Sequence, residues 1–332
     1  MYGLEKIFGL LIYSTLFPGT VFTIFLALII EWIERKIEAR MENRMGPSYN
    51  GPFGIFQPFL DFLKLLHKEE IDIDGGDNEL VNYAIAFSLI FSIFPMLFIP
   101  WFNGINLFSY SLNLSFEGDL ILVLVLLAFS SSIMALAGIA TNSVYPYIGS
   151  SRLLHQSFSY EIPIFLSYLV PAVITGKLSI KEIYHSIIPS LLNHPIMIFF
   201  WLIAFVITLL SLQAELEKNP FTIPEAETEI VAGYSTEFTG RRLAFIHLIH
   251  EIHETIIVIL TFVLFFGHII PVNGILETVM LILGGFLILI LVSLFDTGLS
   301  RIKLFSAQKL LWFTTPLILL VLSLTFLYRG VL

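Results

Sequence analysis

The 332-residue chain contains no cysteine. That absence removes disulfides, thiolate zinc sites and iron–sulfur ligation, so any redox centre must belong to a partner. Charge is scarce too: Asp, Glu, Lys and Arg make up 13 % of the residues, against 57 % hydrophobic. A mean hydropathy of +0.88 excludes a soluble globular domain. Basic residues are outnumbered, 17 Lys and Arg against 26 Asp and Glu. Together with membrane-length apolar runs, this excludes a DNA or RNA role. No phosphate loop or nucleophile elbow appears, and the glycines at 51, 54, 75, 76, 284 and 285 fit no phosphate-binding pattern.

What is present is a series of apolar runs, each long enough to cross roughly 30 Å of hydrocarbon as a helix. Helix is the only open-ended choice, because lipid offers no partner to unpaired backbone groups. Eight spans are expected, near 10–30, 81–102, 119–141, 159–175, 195–213, 243–270, 275–295 and 309–328. The fold class is therefore an all-α membrane protein, a single polytopic domain over 1–332 with an added amphipathic helix on its inner surface. Glu5 and Lys6, and the lack of a small-residue cleavage site, argue that the first span is retained. Thirteen of the 17 Lys and Arg fall in or beside the segments 31–80, 142–158, 214–242 and 296–309; only Lys6, Lys177, Lys181 and Arg329 lie on the other side. By the positive-inside rule those four segments are cytoplasmic loops of a plasma-membrane protein, with both termini outside. The outer loops are short or bland.

Residues 31–70 are the richest stretch. Met45-Gly46-Pro47 is expected to stop the first helix, whose charged extension Glu31–Arg44 would reach about 20 Å past the membrane. Gly51-Pro52 then opens a segment, Phe53–Lys68. There Gln57, Asp61, Lys64 and Lys68 form a narrow polar stripe on an otherwise apolar wheel. A helix lying on lipid normally has a broad polar face. The sliver here predicts packing on most sides by protein or lipid, with the stripe facing a partner or a cavity. An ordinary interfacial helix is the plainer alternative.

Three further constellations could carry chemistry. Glu161 lies inside the fourth span, just before Pro163, where an ionised carboxylate is costly unless it faces the bundle interior or water. Six glutamates, 215, 217, 225, 227, 229 and 237, crowd Gln213–Arg242, where Pro220 and Pro224 bar a continuous helix. Carboxylates so close do not all ionise cheaply in a half-buried place, which suits proton exchange; a solvated acidic loop is the alternative. The sixth span opens with His247, His250, Glu251 and Glu254 on one face and His253 to one side. A zincin needs His-Glu-x-x-His, and His250-Glu251-Ile252-His253 fails that spacing, so no metal is expected. A proton-conducting or structurally paired polar face is the better reading.

Taken in order, these blocks resemble the complex I subunit 1 family, whose members join the peripheral and membrane arms of respiratory complex I and related membrane-bound hydrogenases. The matching residues are Glu34-Arg35-Lys36; Arg44-Met-Gly-Pro47; Gly51-x-x-Gly54-x-x-Gln57-Pro58; Asp61-x-x-Lys64-Leu65; and Lys68-Glu69. They continue with Thr141-Asn142-Ser143, Tyr147, Gly149, Arg152, Gln156 and Ser159-Tyr160-Glu161. Ala214-Glu215, Asn219-Pro220-Phe221, Pro224-Glu225-x-Glu227-x-Glu229-Ile-Val-x-Gly233 and Thr236-Glu237 complete the set.

The resemblance implies a floor under a large catalytic subunit, built from the inner loops, with Arg35, Arg44, Gln57, Asp61, Lys64, Lys68, Glu69, Arg152 and Glu237 in docking roles. It implies a proton relay through Glu161, Glu215, Glu225, Glu227, Glu229 and Glu251 towards antiporter-like membrane subunits. This chain is non-redox and binds no cofactor in that picture. Its partners carry iron–sulfur clusters and a [NiFe] or related centre, with ferredoxin as donor. Lys218 stands where complex I proper has an Arg-containing motif, and Leu299–Phe305 lacks the Pro-Arg-rich element of quinone-using members. These departures argue against quinone and point to membrane-bound [NiFe] hydrogenases and sulfane sulfur reductases. A quinone-reducing complex I, a standalone secondary transporter and a purely structural anchor remain the alternatives.

Overall fold

A computed structural model describes residues 13–101, 114–224, 227–269 and 274–331; Glu225 lies outside them, and only the backbone of Glu227 is described. Among the described residues every regular element is helical, and eight helices are long and apolar enough to cross a membrane. The chain is a multi-pass membrane protein.

Among the described residues, α-helices follow in order: α1 Thr20–Met41, α2 Gln57–His67, α3 Asn78–Ile93, α4 Asp119–Ile139, α5 Val144–Thr175, α6 Ile180–Asn193, α7 Pro195–Glu215, the single turn α8 Glu227–Ile230, α9 Gly240–Phe265, α10 Ile275–Gly298 and α11 Leu304–Val331. Local chemistry sets their ends. Asp77 caps α3 by accepting from the Leu80 N–H at 3.0 Å. Pro95 then tightens the far end of that helix into the 3₁₀ turn Phe94–Phe98. Pro58 and Pro195 sit in the first turns of α2 and α7, where a missing N–H costs nothing.

Helix α9 is the axis of the bundle. Its apolar window is 89 % buried, against 28 % for α11 at the periphery. Trp201 and Phe205 of α7, stacked on each other, pack edge-on or tilted against Phe265 and Phe266 at its far end, and Phe262 stacks on Phe266. Trp201 also donates to the Phe265 carbonyl at 2.9 Å, so this aromatic cluster has no idle polar atom at the indole. The segments 42–77, 216–239 and 299–303 gather at one end of the bundle, termed the loop end here.

Several sequence expectations are corrected. The segment 142–158 is not a loop: α5 runs unbroken from Val144 for 32 residues. At 1.5 Å per residue it is about 48 Å long, so its first turns project well beyond roughly 30 Å of hydrocarbon. Polar residues such as Arg152 and Gln156 hide that helix from a hydropathy argument. The first helix stops at Met41, short of Arg44, where Asn43 turns the chain with φ 57°. The last helix begins at Leu304, inside the expected loop 296–309. Helix α6 falls in a stretch expected to be an outer loop. It lies at the end opposite the loops, where Asp119 accepts from the Ile180 N–H at 2.7 Å and from Ser179 at 3.2 Å.

A buried chain of carboxylates as the candidate site

The site begins on α1. Glu31 and Glu34 are one turn apart on a face turned to α9, and each is 8 % exposed. Arg35 pairs with Glu31 and reaches across to Asp61 of α2 at 2.8 Å. Gln57 donates to the same Asp61 at 2.8 Å. The polar stripe expected on α2 thus turns its upper half inward. Asp61 lines a cavity of about 160 Å³ together with Glu31, Arg35, His247 and Glu251. Lys64 and Lys68, the lower half of that stripe, are exposed.

Deeper in, the end of α7 supplies a cation. Glu217 adopts the left-handed conformation, φ 54°, and the Lys218 N–H donates back to the Gln213 carbonyl at 3.0 Å. This closes a Schellman-type cap in which glycine is the usual residue. The turn sends Lys218 back into the bundle, where its ammonium bonds both Glu34 and Glu254. Burial opposes the charge on Lys218, but the Glu254 and Glu34 carboxylates outweigh it and hold the lysine pKa well above the ordinary value. Carboxylate oxygens of Glu34, Glu251 and Glu254 lie within 4.8 Å of one another, a grouping that could also hold a metal ion. Lys218 reaches two of these carboxylates itself.

The next link is His253, which meets Glu215 at 3.0 Å, Nε2 to Oε1. A small polar cavity of about 40 Å³, room for one water, touches Glu215, Glu217, His250 and His253. Beyond it, Glu215 and Glu161 line a cavity of about 330 Å³ whose other walls are Leu124, Ala128, Tyr160 and Phe165. Glu161 stands about 21 Å from the Thr175 end of α5, within membrane depth. Gln156 donates to the Ala214 carbonyl at 2.7 Å and fixes α5 against the end of α7.

Acidic and imidazole side chains therefore run across the bundle from the α1–α2 cavity to the α4–α5 cavity. Glu161 Oε1, Glu215 Oε2, Glu251 Oε2 and Glu254 Oε2 are buried without a protein hydrogen-bond partner among the described residues. A buried oxygen left unsatisfied is costly, so each calls for a water or a proton. Such a row of groups can pass protons.

Of the predicted relay residues, the structure brings together Glu161, Glu215 and Glu251. Glu229 is elsewhere: it accepts from Arg152 at 2.6 Å and lies 3.2 Å from Arg301, half-exposed at the loop end. The Arg152 hydrogen bond holds its carboxyl below the usual range. Glu237 accepts from Ser143 at 2.6 Å and tethers its loop to the start of α5. Arg44 pairs only locally, with Glu42, and Glu69 is exposed. The sequence reading placed Glu254 on the polar face of α9, with His253 to one side, but left both out of the relay; it missed Lys218, Glu31 and Glu34 as members. The i, i+3 spacing of Glu31 and Glu34 was a usable signal. Nothing in the sequence placed Lys218 against α1 and α9.

The family model described as NADH dehydrogenase matches residues 15–326. The chain belongs to that family. An NADH-quinone oxidoreductase subunit of Thermomicrobium roseum is 34 % identical over 269 residues, 77 % of this chain and 78 % of its own length. Its namesake in Helicobacter pylori is 36 % identical over 239 residues, covering 71 % and 72 %. A solved archaeal respiratory complex, the membrane-bound sulfane sulfur reductase, contains a chain of the same fold, with TM-score 0.77 at 23 % identity over 93 % of this chain and 96 % of that one. At that identity the likeness speaks for the fold alone. In this member of the family, the carboxylates lie on the eight-helix frame described above.

Proposed function

We propose that this chain is the non-redox membrane subunit of a complex I-type respiratory assembly, coupling electron transfer in a partner to proton or Na⁺ movement. The observation that carries the reading is the transverse row of buried acids from Glu31 through Glu34, Lys218, Glu254, His253 and Glu215 to Glu161. A standalone anchor has no need of such a row, given what buried charge costs. Charge changes at the partner's metal centre would alter the field at Asp61 and Arg35 and shift protonation along the row. The α4–α5 cavity is where an antiporter-like neighbour would receive the proton.

The loop end faces the cytoplasm in this proposal and seats the catalytic subunit. Met45, Tyr49, Phe53 and Phe56 support that, since each is more than half exposed outside the spans. Large exposed apolar groups of this kind mark interaction surfaces. Within the family the reading favours the ferredoxin-linked group, the [NiFe] hydrogenase or sulfane sulfur reductase type, with iron–sulfur and [NiFe]-like centres in the partners.

A second reading, quinone reduction, rests on the cavity beneath α2 and on relatives named as NADH-quinone oxidoreductase subunits. That cavity, about 160 Å³, is smaller than the 300–1,000 Å³ or so typical of ligand pockets, which favours the first reading. Purifying the chain from native membranes with its co-purifying subunits tests both. A [NiFe]-type large subunit supports the proposal. Bound quinone with an NADH-oxidising arm supports the second reading. Ion transport by the isolated chain in liposomes would overturn both.

A further inference from the structure

A cavity of about 300 Å³ opens between α3 and the start of α9, and none of the acid-row residues lines it. Its upper rim is polar. Arg242, 5 % exposed in its side chain, is saturated there: it donates to Asn82 at 2.9 Å and Asn78 at 2.8 Å, and lies 3.0 Å from Glu70 and 3.3 Å from Asp72. Arg241 is different. Its side chain is 68 % exposed, and its ion contact is the same Glu70, at 3.8 Å. One carboxylate shared between two guanidiniums leaves Arg241 with most of its donors free.

Below the rim the walls turn apolar. Ile85, Ala86 and Leu89 of α3 face Phe245 of α9. From Asn82 to Leu89 the trough runs about 10 Å along α3. Ala86 is exposed within it, and its small side chain leaves the space open. Tyr83, Phe87 and Ile90 on the adjoining surface of α3, and Phe94 just past its end, are all exposed, so the trough is continuous with an exposed apolar wall. Tyr83 adjoins Asn82 of the polar rim, and aromatic residues of this kind are enriched where membrane proteins meet lipid headgroups. A largely unpaired guanidinium above an apolar trough matches a phosphate ester carrying a hydrocarbon chain.

We propose that this cavity is a specific phospholipid site, with Arg241 holding the phosphodiester and one hydrocarbon chain lying along Ile85, Ala86, Leu89 and Phe245. A free phosphate or a glycerophosphate would use the rim and leave the trough empty. An uncharged diacylglycerol would fill the trough and leave Arg241 unpaired. The site is independent of the acid row and of the electron acceptor.

Native mass spectrometry of the purified, delipidated complex tests it, with dioleoylphosphatidylglycerol, dioleoylglycerol and glycerol 1-phosphate added separately. The wild-type complex should retain one more phosphatidylglycerol than either Arg241→Gln or Ala86→Phe, and neither of the other two compounds should displace it. Both substitutions are at exposed positions, and the second fills the trough without touching charge. Equal lipid retention in wild type and both variants would overturn the proposal. So would displacement by glycerol 1-phosphate alone, or a partner-subunit segment found cross-linked to Ala86→Cys in the trough.

Discussion

His253 of α9 meets Glu215 at the end of α7, Nε2 to Oε1 at 3.0 Å, and this contact joins the two halves of the buried acid row. On one side of it lie Glu254, Lys218 and Glu34; on the other, the cavity shared by Glu215 and Glu161. Replacing His253 with Phe removes the only imidazole bonded to Glu215 among the described residues. Redox-driven ion movement in vesicles should fall by about tenfold or more, a barrier change of about 1.4 kcal/mol, while the complex still assembles. His253→Gln can keep a hydrogen bond to Glu215 but cannot take up or release a proton, and should be equally impaired. Normal ion movement in the Gln variant would mean the imidazole only orients Glu215.

Lys218 should matter for stability before it matters for coupling. Removing one partner of a buried ion pair costs about 3–5 kcal/mol, because the remaining charge is left uncompensated. Lys218→Met leaves Glu34 and Glu254 facing each other and should lower the thermal unfolding midpoint of the complex; Lys218→Arg should recover most of the loss. The sign of the pH dependence follows from the raised lysine pKa. A base whose folded pKa is raised contributes stability that is fully present below the ordinary lysine value of 10.5 and is lost only as pH climbs past the higher folded value. Thermal scans between pH 6 and 9 should therefore show no step attributable to Lys218, whereas the Met variant's deficit should persist throughout.

Glu229 gives the opposite expectation. Its pairs with Arg152 and Arg301 are solvent-exposed, and exposed pairs of this kind contribute roughly 0–1 kcal/mol. Its lowered pKa adds stability above the ordinary carboxylate value of 4.5, lost as pH falls through the lower folded value. Glu229→Gln should leave stability near neutrality almost unchanged, ion movement intact, and any defect confined to docking of the soluble partner. Loss of ion movement with normal assembly would return Glu229 to the relay.

The exposed aromatic groups of the first loop make a separate prediction. Tyr49 is 96 % exposed and Phe53 77 %. Tyr49→Asp together with Phe53→Asp should release the soluble subunits during purification without altering the membrane helices, as read by circular dichroism and subunit stoichiometry. Retention of the full complement of subunits would place the docking surface elsewhere.

Much of this was legible in the sequence, for reasons that differ by residue. The spans were visible because lipid demands about 20 apolar residues in a row, and that demand is local. Asp61 was visible because a narrow stripe on an apolar helix needs a polar destination, and Arg35 is that destination. Glu161 was visible because its neighbours are apolar. The first turns of α5 were not visible, since they lie outside the membrane where hydropathy carries no signal. Lys218 was not visible because its environment comes from Glu34 and Glu254, which are 184 and 36 residues distant. His253 looked displaced from the polar face of α9 on a helical wheel, but its partner comes from α7, on the side the wheel leaves blank.

The most direct measurement is ion translocation per electron in sealed vesicles bearing the complex with Glu161→Gln, alongside the redox rate of its detached soluble module. Glu161 and Glu215 close the row at the α4–α5 cavity, so the neutral amide should abolish translocation while the soluble module turns over at the wild-type rate. Wild-type translocation in that variant would contradict a relay through the buried acids.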